Sequence, residues 1–185
     1  RLVGSEMCIR DRNNKLWCTF SHDQVDLNFK NPLVLIEFIE IVLLLLSKGV
    51  TTFRLDAVAF IWKKNGTSCV NLPETHEIVK LLRLIVNYIN PHALIVTETN
   101  LPRKENLSYF GNNDEANWIY NFPLPPLILY TFLFEDSSKI SGWSKSMPPA
   151  QINNAYLNFI ASHDGIGMRP AAVSYTHLRA HETHN

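Results

Sequence analysis

The sequence predicts an α/β fold on a parallel sheet, part of a β/α barrel. Two observations carry that expectation. Strand-like and helix-like segments alternate in the order helix, strand, helix, strand, strand, helix, strand, which suits right-handed crossovers between parallel strands. Three apolar runs also deliver a carboxylate near their C-terminal ends: Phe53-Arg54-Leu55-Asp56-Ala57, Ile95-Val96-Thr97-Glu98-Thr99-Asn100 and Phe159-Ile160-Ala161-Ser162-His163-Asp164. In a β/α barrel that end of the strands carries the active site, and several strands contribute to it.

Each element has its own local reason. Asn31 can cap a helix with Pro32 in first position, running to Leu46 and stopping at Gly49. Glu37 and Glu40 interrupt this greasy run, which is also shorter than the roughly 20 apolar residues of a membrane span. It reads as a buried barrel helix. Residues 51–57 are rich in β-formers and short, as a buried parallel strand should be. Gly66, Thr67 and Ser68 mark a loop. Ile78, Leu81, Leu82, Ile85 and Ile89 form one stripe of a second helix over 73–88, ended by Asn90-Pro91. Residues 94–97 form the next strand, 100–115 a polar loop and 117–122 another strand. Pro125-Pro126 opens an apolar helix through Phe134, and residues 156–162 form the last strand.

The chain has 185 residues and is 46% apolar, enough for one core. It is shorter than a whole barrel of roughly 250 residues. Its formal net charge is zero, so nothing points to nucleic acid or an anionic membrane as a partner. Cys8, Cys18 and Cys69 are an odd, unpatterned set, which argues against a disulfide framework and for a cytoplasmic location.

The two ends are expected to be foreign to the gene. Val173-Ser174-Tyr175-Thr176-His177 can be encoded by a stretch whose reverse complement encodes Met7-Cys8-Ile9-Arg10-Asp11. That symmetry resembles a sequencing-library adapter, so residues 1–12 and 173–185 are set aside, leaving 13–172 as a partial catalytic domain. His177, His181 and His184, whose spacing could suggest zinc, fall in the discarded end.

The carboxylates suit glycosidic chemistry. Retaining transfer needs a nucleophile and an acid/base roughly 5–5.5 Å apart. Adjacent parallel strands lie about 4.8 Å apart, so Asp56 and Glu98 at neighbouring strand tops could meet that need. Arg54 and Asp56 are two apart and share one side of their strand, where Arg54 could hold Asp56 ionised and aimed. Glu98 would have to reach the reaction protonated.

This constellation resembles the α-amylase-like family of retaining α-glucoside enzymes. Gln24-Val25-Asp26-Leu27-Asn28 looks like the family's stretch before the nucleophile strand. The resemblance implies Asp56 as nucleophile, Arg54 as its partner and Glu98 as general acid/base. It implies His163 and Asp164 as the pair that grips sugar hydroxyls and stabilises the transition state. It also implies a central fragment of a (β/α)8 TIM barrel, about strands 4 to 7, incomplete at both ends.

Trp17-Cys18-Thr19-Phe20, Gly66-Thr67-Ser68-Cys69, Phe122-Pro123-Leu124-Pro125-Pro126 and His163-Asp164-Gly165-Ile166-Gly167 are similar to the sucrose phosphorylase branch. That branch passes glucosyl groups between an acceptor and inorganic phosphate, with phosphate as a substrate and no metal or organic cofactor. Met168-Arg169-Pro170 looks more like relatives acting on glucosylglycerate, glucosylglycerol or sucrose 6-phosphate. Arg169 could bind an anionic acceptor or phosphate, or be a plain surface arginine.

Other readings stay open at this stage. The same trio could serve a hydrolase or transglucosidase, and a non-catalytic sugar-binding relative is a third possibility. Asp26 and Asn28 suit loop support better than substrate contact. Trp17, Phe20, Phe60 and Trp62 suit packing better than stacking on a sugar. Cys69 reads as a small buried residue. The fragment alone is expected to be inactive, because an open slice of barrel leaves sheet edges unpaired.

Overall fold

The structure, a computed structural model, describes residues 6–9 and 15–166. It opens with an antiparallel hairpin of β1 (Glu6–Ile9) and β2 (Lys15–Cys18). Helix α1 (Pro32–Ser47) follows. Asn31 caps it as expected, its side chain accepting from the Leu33 N–H at 3.1 Å. Gly49, at φ 87°, takes the left-handed conformation that ends the segment.

Next come β3 (Thr52–Leu55), α2 (Pro73–Ile89) and β4 (Leu94–Thr97). They are followed by α3 (Arg103–Ser108), β5 (Trp118–Tyr120), α4 (Leu124–Phe134), α5 (Ser138–Ser146) and β6 (Ala155–Leu157). A one-turn 3₁₀ segment, Val58–Phe60, lies just beyond β3.

Strands β3, β4, β5 and β6 form one four-stranded parallel sheet in chain order. Each crossover carries helix, as parallel neighbours require. Leu55 sits beside Thr97, and Thr97 beside Ile119, so the strand ends are level. Phe53, Leu55, Ile95 and Ile119 point to the helical side, where they pack with Val42 of α1 and Ile78, Val79, Leu82 and Val86 of α2. Ile95, Ile119 and Val79 are fully buried. Burial of that degree contributes about 1.5–3 kcal/mol for a large aliphatic side chain. Because strand side chains alternate, Arg54 and Asp56 are forced to the opposite face.

The structure departs from the sequence expectations in several places. Helix α1 is not the buried helix expected: Val42 is its one buried residue, and Leu33, Ile36, Ile41, Leu44 and Leu45 are exposed, because it lies on the outside of the sheet and only one edge of it meets the core. The polar segment over 100–115 contains helix α3. It has no apolar stripe to announce it, and its order comes from tertiary bonds. Asn106 accepts from Thr99 Oγ1 at 2.5 Å and donates to the Tyr120 carbonyl at 3.1 Å. Helix α5 was likewise not expected, and Arg103 Nη1 ties its last residue through Ser146 Oγ at 2.9 Å. The last strand stops at Leu157 rather than continuing through 162, and residues 158–161 run on outside the sheet. Among the described residues no helix is long and apolar enough to cross a membrane.

Candidate active site

The site begins with the alternation along β3. Arg54 lies within the strand, while Asp56 and Ala57 form the turn beyond it. Arg54 Nη1 donates to Asp56 Oδ1 at 2.5 Å. Ala57 turns sharply, with φ 43° in the left-handed region. That conformation costs an L-residue about 1–2 kcal/mol. It persists where the surroundings over-determine it, and here it directs a backbone donor. The Ala57 N–H reaches Glu98 Oε2 at 2.8 Å.

Glu98 follows directly after β4, and its own N–H donates to the Leu55 carbonyl at 3.0 Å. This bond continues the β3–β4 ladder by one residue and brings Asp56 and Glu98 to the same edge. Arg54 Nη2 approaches Glu98 Oε1 at 3.9 Å. One guanidinium therefore serves both carboxyl groups. The side chain of Glu98 is 18% exposed and that of Asp56 is 73% exposed.

A third partner comes from β5. Arg54 Nε donates to the Tyr120 hydroxyl at 3.1 Å. Partial burial alone would lower the Arg54 guanidinium, but hydrogen bonds to Asp56 and Tyr120, with their charges, hold it above its ordinary value. Sequence reasoning missed Tyr120, Asn106 and the Ala57 N–H. The aromatic alternation Trp118, Tyr120, Phe122 was a usable signal for a shared face. Only the register places that face in reach of Arg54.

His163 and Asp164 occupy a tight turn closed by hydrogen bonds between Ser162 and Gly165. His163 Nε2 lies 3.2 Å from Asp164 Oδ2, and both side chains are largely exposed. Neither makes a hydrogen bond or ion pair to Arg54, Asp56 or Glu98. Arg169 lies outside the described residues.

A cavity of about 400 Å³ opens beside Asp56, within the size range of small-molecule sites. Arg54, Asp56 and Asp26 are its charged lining; Phe20, Leu27, Phe29 and Phe60 are among its apolar walls. Phe20 and Phe60 meet edge-on at 5.4 Å. One wall is anchored by Asp26, which accepts from Thr19 Oγ1 at 2.6 Å and pairs with Lys63 Nζ at 3.1 Å. Asn28 accepts from the Lys30 N–H at 3.2 Å. Both thus support loops. Cys69 is fully buried, its thiol bonded to the Lys64 backbone at 3.3 Å. Among the described residues no group of three or more His, Cys, Asp or Glu side chains is placed to hold a metal.

The family description "Alpha amylase, catalytic domain" matches residues 11–175. The chain belongs to the α-amylase family. It is accordingly part of a TIM barrel.

Within the α-amylase family, the chain is 52% identical over 157 residues to a glucosylglycerate phosphorylase from Allomeiothermus silvanus, covering 84% of this chain and 28% of that protein. It is 45% identical over 164 residues to the glucosylglycerate phosphorylase of Escherichia coli, covering 88% of this chain and 29% of that protein. Among solved structures it is similar to sucrose 6F-phosphate phosphorylase from Thermoanaerobacter thermosaccharolyticum. The TM-score is 0.71 at 27% identity, over 84% of this chain and 31% of that one. The chain thus spans less than a third of the length of these relatives.

Proposed function

We propose that this chain is part of a retaining α-glucosyl phosphorylase acting on a glucosylglycerate-like α-glucoside and inorganic phosphate. The observation that carries the proposal is the Arg54 guanidinium, 2.5 Å from Asp56 and 3.9 Å from Glu98, at the ends of adjacent parallel strands. Names of similar proteins support phosphorolysis and an anionic acceptor.

In this reading Asp56 is the nucleophile. It attacks the anomeric carbon while Glu98 protonates the departing acceptor oxygen, leaving a covalent β-glucosyl enzyme. Phosphate then attacks the same carbon and Glu98 takes its proton, releasing α-glucose 1-phosphate. Arg54 pairs with Asp56 and aims it. Asp164 and His163 grip sugar hydroxyls, and Arg169 receives the anionic acceptor or phosphate. The chemistry uses no metal or organic cofactor, and it belongs to the cytoplasm.

The test uses a full-length protein carrying this chain. Glucose 1-phosphate release is followed from glucosylglycerate, sucrose 6-phosphate, sucrose and glucosylglycerol, with and without phosphate. Phosphate-dependent release from glucosylglycerate is the expected result. Free glucose formed at the same rate without phosphate would replace this reading with a hydrolase that uses the same carboxylates.

A further inference from the structure

Arg54 is held from two sides. Its Nη1 meets Asp56, and its Nε donates to the Tyr120 hydroxyl at 3.1 Å. The guanidinium carbon also lies 5.6 Å from the centre of the Tyr120 ring, within the range of a cation–π contact. Tyr120 stands on β5, two strands away from Arg54 across β4. Its contact with Arg54 spans the sheet.

Tyr120 is itself held. Its ring stacks on Phe122 at 5.3 Å and 23°, and Phe159 meets it edge-on at 5.4 Å. Phe122 and Phe159 close the triangle at 5.5 Å and 88°. The Tyr120 carbonyl is held as well, by the Asn106 amide. Two rings and a backbone bond therefore leave the hydroxyl little freedom.

This matters because the Arg54–Asp56 pair is otherwise weakly restrained. Asp56 is mostly exposed, and an exposed ion pair between flexible side chains is screened and short of fixed geometry. Arginine has one Nε–H, in the guanidinium plane. Anchoring that donor orients the whole fork, leaving the Nη groups directed at carboxylates.

We propose that Tyr120 is a positioning residue for glucosyl transfer: its hydroxyl, held by Phe122 and Phe159, orients Arg54 so that Arg54 aims Asp56 at the anomeric carbon. The assignment rests on the functional reading above. Tyr120 acts through Arg54 and touches no reacting atom.

The experiment compares wild type, Tyr120→Phe, Arg54→Lys and the double variant in the full-length protein, with α-glucosyl fluoride as donor. Fluoride leaves without a proton, so its release in the first turnover isolates the Asp56 step from Glu98, and kcat here is that first-turnover rate constant at saturation. Tyr120→Phe should lower kcat about tenfold, the size of one hydrogen bond to a charged group, with KM within about twofold. Lysine has no equivalent of Nε–H, so Tyr120→Phe should cost no more than about twofold on top of Arg54→Lys. A merely structural role would instead repeat the tenfold loss in that background.

Hydrogen exchange at the Arg54 Nε–H, followed by NMR in ¹⁵N-arginine-labelled wild type, gives a readout that needs neither turnover nor a folded variant. Slow exchange is expected, and fast exchange overturns the proposal even if Tyr120→Phe fails to fold. Full kcat in Tyr120→Phe, with an active wild type, removes the proposal alone. A wild type inert towards glucosyl fluoride removes the functional reading and this assignment with it.

Discussion

Replacing Arg54 with Met keeps most of the apolar stem and deletes the guanidinium. Three interactions go with it: the 2.5 Å bond to Asp56, the 3.9 Å approach to Glu98 and the 3.1 Å bond to Tyr120. A hydrogen bond with one charged member is worth about 1.5–3 kcal/mol. Asp56 is 73% exposed, so solvent screening puts its bond at the low end of that range. Two such bonds come to about 3 kcal/mol, or roughly two orders of magnitude in rate. The loss should appear in kcat, because in the proposed mechanism the arginine orients the nucleophile and does not grip the sugar. Stability should fall by no more than about 1 kcal/mol, since the pair is partly exposed. Turnover of α-glucosyl fluoride and a thermal melt of the full-length variant measure both. Activity within about threefold of wild type would refute the reasoning, because it would mean that Arg54 does not govern Asp56.

Three further outcomes are expected. Glu98→Gln keeps the acceptor for the Ala57 N–H but carries no transferable proton. It should slow glucosylglycerate phosphorolysis by about 10²–10⁴ while leaving the first step from glucosyl fluoride much less affected, which burst kinetics with each donor would show. Asn117→Ala removes the buried Oδ1 that accepts from the Ile95 N–H at 2.8 Å. Leaving that donor unsatisfied between β4 and β5 should cost about 1–3 kcal/mol in a urea titration. Tyr109 is fully buried, and its hydroxyl has no hydrogen-bond partner among the described residues. Burial, followed by the charges of Glu115 and Glu105, pushes its phenol above the ordinary value. The neutral phenol's stabilisation is therefore complete below the unfolded value of about 10 and is lost as pH rises through the folded one. Tyr109→Phe should match or slightly exceed wild-type stability at neutral pH and unfold at a higher alkaline midpoint, as melts across that range would show.

Much of this protein is written locally. The Asn31 cap, the Pro32 start and the Gly49 stop are backbone chemistry that acts within a few residues, and α1 obeys them. Helix α2 and strands β3 and β4 need only periodicity, and their bounds fall within a few residues of the sequence reading, but the packed face of α2 is Ile78, Val79, Leu82 and Val86, with Leu81 and Ile89 of the expected stripe exposed. The pairing of Arg54 with Asp56 follows from a two-residue spacing at the end of one strand. The carboxylates were visible because an acid at the end of an apolar run is conspicuous.

What the tertiary structure decided concerns residues whose partners are distant in sequence. Helix α3 lacks an amphipathic signal, α5 offers only Ile140 and Trp143, and both are held by bonds such as Thr99 to Asn106 and Arg103 to Ser146. Ala57 became a donor to Glu98 because its left-handed turn meets the end of β4, 41 residues later. Tyr120 reached Arg54, 66 residues away, because the register puts β3 and β5 on either side of β4. Sequence by itself determined which residue types stand at the strand ends, since periodicity is a property of neighbours. Which of them share a hydrogen bond was decided by strand register, which arises only when the separate segments pack on one core.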